Sequence, residues 1–357
     1  MINNKIINTW NSDIKNILSN DLQWNKLDGC RILVTGATGF LGGYIARLLL
    51  SLNHLKIIKN PIKVIGMVRN ISKAHENLID IINDPQFQII EWDLNKIEIP
   101  IIGSCDYVFH AASQASPKYY NKDPLGTLLP NTIGTESLLR AQHKQTIKPK
   151  GFVFISSAEV YGLNIDKAAL SEDDYGILDP TAIRSCYAES KRLGESICVA
   201  WSHQYEMPTY IVRPFHTYGP GLNLDDGRVF TDFVSNVVRD QNIKMSSDGK
   251  QRRAFCYISD AIAGLFSVLL KGEIGVPYNL ANPSGLLTIQ ELAEMLIKLY
   301  PEKELIIEKI SLKVKGDYLQ SPFNSVVPDI ARITSLGWKP KISPAEGFRR
   351  MIESYLT

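Results

Sequence analysis

Tyr187 and Lys191 stand four residues apart in "SCYAESKRLGE", and the two types together suit proton transfer. On a helix they project from one face, one turn apart. A phenol with an ordinary pKa of about 10 becomes a usable base when a neighbouring ammonium stabilises the phenolate. Tyr187 would then take a hydroxyl proton as hydride leaves the same carbon, or return it in reverse. The spacing alone also fits a solvated helix face, so the rest of the chain must decide. Upstream, "FISSAEVYG" ends an apolar run at Ser157, whose hydroxyl suits holding the reacting oxygen.

Alternating elements supply the frame. "CRILVTG", "KVIGMVR", "FQIIEWDL", "CDYVFHAA", "GFVFISS" and "PTYIVRPF" read as strands. "YIARLLLSL", "NTIGTESLLRAQHK" and "SCYAESKRLGESICVAWSHQY" read as helices. The pattern predicts an α/β fold with a doubly wound parallel sheet. Residues 29–217 would form this domain, and 218–357 a smaller mixed lobe for substrate, interleaved with it. Residues 1–28 form an N-terminal extension. Within it, Ile6, Ile7, Trp10, Ile14, Ile17, Leu18 and Leu22 predict an amphipathic helix over 5–24, packed on the outside. In such a sheet ligands sit beyond the carboxyl ends of the strands, where Ser157 and the Tyr187 helix converge.

"VTGATGFLGGYIA" places Gly36, Gly39 and Gly42 between the first strand and its helix. That is the context of a dinucleotide diphosphate site, with the helix N-terminus facing the phosphates. Thr38, Phe40 and Leu41 belong to the same turn. Arg69 ends the second strand where a carboxylate would select an unphosphorylated ribose. An arginine suits a 2′-phosphate, which favours NADP over NAD. Asp93, with Leu94, is placed to meet the adenine. Ala111, Ala112, Ser113 and Pro214 would line the nicotinamide side with Tyr187 and Lys191. His110 reads as structural, and Asn131 equally as a cap or structural hydrogen bonder or as a site residue.

Composition narrows the classes. A net charge of +2 over 357 residues gives no footprint for nucleic acid or an anionic membrane surface. The five cysteines show no Cys-x-x-Cys spacing, which argues against a zinc site or disulfide framework and for the cytoplasm. The most apolar helical stretch, "YIARLLLSL", is too short to span a bilayer and contains Arg47, and no signal peptide is evident.

Taken in order, "TGATGFLG", "FHAAS", "SSAEVYG", "YAESK" and "RPFHTYGP" resemble the extended short-chain dehydrogenase/reductases that act on nucleotide sugars. That resemblance implies bound NAD or NADP, hydride transfer at C4 of a nucleoside-diphosphate sugar, and a homodimer built on helices including that of Tyr187. "ASQASPKYY", "RSCYAESKR", "TYGPGLNLDDGRV" and "DGKQRRAFCYISD" look most like UDP-glucuronate decarboxylases. By that likeness Arg253 would contact the diphosphate and Arg228 the substrate. Glu159 would act as base or position the sugar, and Gln114 and Ser116 would touch it.

Three departures bear on the reaction. Ala158 stands where similar dehydratases carry an aspartic acid and the decarboxylases a serine. Gly221 stands where the decarboxylases carry an arginine suited to a C6 carboxylate. His216 replaces the usual asparagine and is a further substrate-binding candidate. These departures place a 4-ketoreductase or 4-epimerase first, UDP-glucuronate decarboxylase second and a 4,6-dehydratase last. The intact Ser157, Tyr187 and Lys191 set weighs against a catalytically silent binding protein.

Overall fold

The computed structural model describes residues 2–163, 169–310 and 327–356. Its centre is a parallel sheet of β1 (Arg31–Thr35), β2 (Lys63–Val68), β3 (Phe87–Glu91), β4 (Tyr107–His110), β5 (Gly151–Ile155), β6 (Thr209–Pro214) and β7 (Pro277–Leu280). The order across the sheet is β7-β6-β5-β4-β1-β2-β3. The chain builds outward from β1 through β2 and β3, then returns to the other side of β1 to add β4. The crevice therefore opens beyond the carboxyl ends of β1 and β4, as a doubly wound sheet requires.

Six of these strands coincide with the apolar runs of the sequence; β7 is an addition. It lies far along the chain and pairs with β6, register Tyr278 to Val212. The C-terminal third thus re-enters the sheet before completing its own short strands, His216–Tyr218, Arg252–Tyr257 and Leu286–Thr288.

The helices that bear on the site are α1 (Asn4–Leu18), α2 (Phe40–His54), α3 (Ile133–His143), α4 (Cys186–Tyr205), α5 (Ile258–Lys271) and α6 (Pro344–Tyr355). Strand periodicity divides them between two layers. Ile32 and Val34 pack into one apolar cluster with residues of α2 and α5. Leu33, between them, joins Leu138 and Leu139 of α3 and Cys198 of α4 on the other face. Strands buried on both faces read as continuous apolar runs, and all of β5 is buried.

The N-terminal helix differs from its sequence reading. Asn3 caps it, accepting from Ile6 N, and it ends at Leu18 rather than near residue 24. It lies on the outside of the domain, with Asn4, Lys5, Asn8, Asn11, Ser12 and Lys15 exposed and its apolar face turned inward. Ile6, Trp10, Asp13, Ile14 and Ile17 are buried, and α1 packs against α5 and α6. Burial of large apolar side chains stabilises by about 1.5–3 kcal/mol each, so the apolar face of α1 joins the core. Among the described residues no helix is long and apolar enough to cross a membrane.

Candidate active site

A cavity of about 930 Å³ opens at the carboxyl end of the sheet, large enough for a dinucleotide and a second ligand. Gly39, Phe40, Leu41, Gly42, Arg69, Ala111 and Ser113 line one arm. Ser157, Tyr187, Lys191 and Pro214 line the centre. Gln114, Ser116, Glu159, His216, Arg228 and Arg253 line the other arm. The structure so gathers most of the residues picked out in the sequence around one space.

The first arm fits a dinucleotide. Gly36 has φ +65°, and a Cβ there would lie 2.8 Å from Ala112 Cα. Only glycine meets both demands. The turn delivers Gly39 as the N-cap of α2, with no side chain capping it. The free N–H groups of that helix end suit a diphosphate. Ser113 Oγ is buried without a hydrogen-bond partner, as expected of a group that serves a ligand.

Gly36, Thr38, Asp93, Leu94 and Ala112 are not part of the cavity wall. Gly36 and Ala112 shape the turn from behind, and Ala112 N donates to Thr35 Oγ1 at 3.1 Å. Thr38 offers its carbonyl to Asn77 at 3.4 Å. Asp93 Oδ1 accepts from the backbone and side chain of Asn95, at 3.1 and 2.9 Å. Leu94 is buried beneath Gly134. His110 bonds Thr35 Oγ1 at 2.8 Å and Pro130 O at 2.9 Å. Burial and the nearby Lys191 charge lower its pKa to about 3, so it is a neutral strut. Asn131 donates to Thr127 O and Ser190 Oγ, both at 3.0 Å, and caps nothing.

Tyr187 is 6% exposed and stacks on Tyr120, centroids 5.1 Å apart. Ser157 Oγ accepts from Glu159 N at 3.1 Å, which leaves its proton for the Tyr187 oxygen. Lys191 Nζ donates to Ile155 O at 2.6 Å and lies 5.8 Å from the Tyr187 ring centroid. The electrostatics differ from the simple expectation of a phenol kept acidic by Lys191. Burial raises the Tyr187 pKa, and the Glu159 charge adds to the rise. The Ser157 hydrogen bond, Arg228 and Arg184 oppose it. Burial also lowers Lys191 to about 7, so its charge is itself marginal near neutrality.

In the other arm, Arg184 holds Glu159 through two bonds, at 2.7 and 3.0 Å. Glu159 is thereby a fixed acceptor, each oxygen keeping a lone pair for a sugar hydroxyl. Ser116 Oγ donates to Asp226 O, and Lys118 Nζ to Asp225 O at 3.0 Å. Ser116 thus closes a loop over the cavity. Arg228 pairs with Asp226, and its Nε donates to Oδ2 at 2.7 Å. Gln114 donates to Asp123 at 2.8 Å. Arg253 Nη2 donates to Gln251 at 2.9 Å. His216 Nδ1 is buried without a partner, and burial, then Arg253 and Arg228, push its pKa well down. Arg184 and Tyr120 escaped the sequence reading, although "RSCYAESK" puts Arg184 three residues before Tyr187.

Comparison with known proteins agrees with this geometry. The NAD dependent epimerase/dehydratase family matches over residues 32–281. UDP-glucuronic acid decarboxylases 1 and 6 of Arabidopsis thaliana are each 33% identical over 91% of this chain, covering 69% and 88% of their own lengths. A crystal structure of UDP-glucuronic acid 4-epimerase from Bacillus cereus, in complex with UDP-glucuronic acid and NAD, superposes with a TM-score of 0.74. It is 25% identical and covers 91% of this chain and 98% of that one. With the glycine turn, the buried Tyr187 and the cavity at the carboxyl end of the sheet, this chain belongs to the NAD dependent epimerase/dehydratase family, as an NAD-dependent enzyme of nucleotide-sugar chemistry.

Proposed function

We propose that the chain oxidises UDP-glucuronate at C4 and releases C6 as carbon dioxide, giving a UDP-pentose. The observation that carries this reading is the one-third identity to UDP-glucuronic acid decarboxylases along nine-tenths of the chain. It reverses the order of readings drawn from the sequence.

Bound NAD supplies the hydride acceptor and donor. Tyr187 takes the C4 hydroxyl proton and later returns it, while Ser157 hydrogen-bonds the same oxygen. Glu159, fixed by Arg184, orients the ring hydroxyls. A 4-keto uronate is a β-keto acid. Its C5–C6 bond breaks with the electron pair passing toward the C4 oxygen, and C5 is then protonated. That step needs no acid at C6, so Ala158 weighs against 4,6-dehydration rather than decarboxylation.

A second reading rests on a specific observation. Gly221 stands where the similar decarboxylases carry an arginine. No arginine waits at that position for a carboxylate. With Arg69 in the cofactor arm, this supports a 4-ketoreductase using NADPH, or a 4-epimerase, on a sugar without a carboxylate. UDP-glucuronate labelled with 13C at C6 separates the readings. Labelled bicarbonate and a UDP-pentose by NMR are expected. An intact uronate inverted at C4 would establish the epimerase. NADPH consumption only with a 4-keto nucleotide sugar would establish the reductase.

A cytoplasmic homodimer goes with this proposal. The solvent face of α4 carries Leu193 at 51% exposure, and Leu125 and Ile133 are exposed on segments packed against that helix. The five cysteines are all free.

A further inference from the structure

We infer that Glu195 is a positioning residue for the C4 chemistry, fixing the end of β5 against α4 and supplying the negative charge beside Lys191. Tyr187, Lys191 and Glu195 follow at intervals of four on α4 and form one stripe. The chain at the end of β5 meets that stripe residue by residue. Ser157 faces Tyr187 and lowers the cost of its charged form, and Ile155 O takes Lys191 Nζ at 2.6 Å. Between them, Ser156 Oγ donates to Glu195 Oε1 at 2.5 Å. A single carboxylate thus locks the segment that holds both catalytic partners.

The carboxylate is itself held from behind. Arg213 of β6 donates from Nε to Oε1 at 2.9 Å and from Nη2 to Oε2 at 2.7 Å. Its Nη1 donates to Tyr161 Oη and Glu172 O, both at 3.0 Å. Tyr161 Oη donates in turn to Asn279 Oδ1 of β7 at 2.5 Å. The Glu195 and Arg213 side chains are 12% and 7% exposed. Ser156 and Lys191 line the cavity but Glu195 does not, so any effect of Glu195 is transmitted through them.

The charge has one clear recipient. Lys191 is faced by Glu195 and Cys198 from α4 and by the neutral His110 from β4. Glu195 is faced by Arg213 from β6, Ser156 just after β5, and Lys191 and Cys198 on its own helix. Burial is what lowers Lys191, and Glu195 is the foremost charge opposing that fall. Removing it leaves a neutral amine where an ammonium must support the phenolate.

The inference rests on the proposed C4 chemistry only in taking Tyr187 as the base, whichever sugar is bound. The test compares Glu195→Gln, which keeps hydrogen bonds but drops the charge, with Glu195→Asp, which keeps the charge. In the holoenzyme, Glu195→Gln should lower kcat at pH 8 about tenfold, with KM within about twofold. Its alkaline limb in the kcat profile should move to lower pH, because Lys191 loses its proton sooner. Glu195→Asp should restore that limb. A 15N NMR titration of Lys191 Nζ, assigned by its loss in Lys191→Arg, should show the Lys191 pKa falling in the Gln variant. An equal loss at every pH in both variants, with the limb unmoved, would reduce Glu195 to packing and overturn the inference. If neither UDP-glucuronate nor a 4-keto nucleotide sugar turns over, the substrate reading fails, but the titration still decides. Should the Gln variant fail to fold, Ser156→Ala must move the titration in the same direction; no movement overturns the inference.

Discussion

At the scale of single residues, the chemistry divides into groups that react and groups that hold them. Tyr187→Phe removes only the phenolic oxygen and keeps the ring stacked on Tyr120. We expect kcat to fall by about 10²–10⁴ with an unchanged melting temperature, measured by turnover and thermal scan. A variant as active as the parent would remove the base from the mechanism. Arg184→Lys tests the holding group. A lysine cannot make the two parallel bonds that fix Glu159, so Glu159 would swing and KM should rise about tenfold. Equal kinetics would show that Glu159 does not meet the sugar. The gathering of Ser157, Tyr187 and Lys191 at one cavity was legible because a tyrosine and lysine one turn apart, after a glycine turn and a strand-end serine, share a helix face at the carboxyl end of the sheet. Arg184 and Tyr120 were not, because they act on other side chains and their partners lie far off in sequence. The marginal charge of Lys191 was also hidden, since it follows from burial, which spacing does not report.

At the scale of elements, strand and helix periodicity predicted six strands of the sheet, because those runs are buried on both faces. It missed β7, whose four residues include the polar, fully buried Asn279. That asparagine is satisfied by Tyr161, Leu170 O and Asp329 O, partners from distant segments. The packing of α1 was legible from its apolar stripe, but the polar contacts that dock it were hidden. Trp10 donates to Pro220 O at 3.1 Å, and Arg47 lies 3.7 Å over its ring. Gly221 follows with φ +85° and its Cα turned to that indole. Gly221→Ala would place a methyl 2.7 Å from Trp10 Cζ2 in a strained conformation. Strain and overpacking together should cost about 2–4 kcal/mol, read as a lower denaturation midpoint. Trp10→Phe removes the hydrogen bond and part of the packing, and should cost about 1–3 kcal/mol. If Trp10→Phe rescued Gly221→Ala even in part, the contact would be established; strict additivity of the two losses would refute it.

At the scale of the whole molecule, one buried carboxylate joins the parts that surround the cavity. Asp13 of α1 accepts from Tyr44 Oη of α2 at 3.1 Å and from Tyr257 Oη at 2.9 Å. Tyr44 lies four residues after Phe40 in the cofactor arm, and Tyr257 four after Arg253 in the substrate arm. Arg350 of α6 reaches its Oδ1 at 3.3 Å. Burial raises the Asp13 pKa to about 6, against the lowering effect of Tyr257, Tyr44 and Arg350. The folded state therefore binds this proton more tightly than the unfolded chain, whose carboxyl titrates near 3.8. Its contribution to stability is full below the unfolded value and is lost as pH rises through about 6. Over that window the change is about 3 kcal/mol. Asp13→Asn cannot titrate, and its amide oxygen can still accept from both tyrosines. The melting temperature of the parent relative to this variant should therefore fall between pH 4 and pH 7 by a few degrees. Thermal scans of both proteins across that range test it directly. A difference that stays flat would mean that Asp13 is already charged in the folded protein, held so by Arg350, and that burial does not govern the junction between α1 and the two arms of the site.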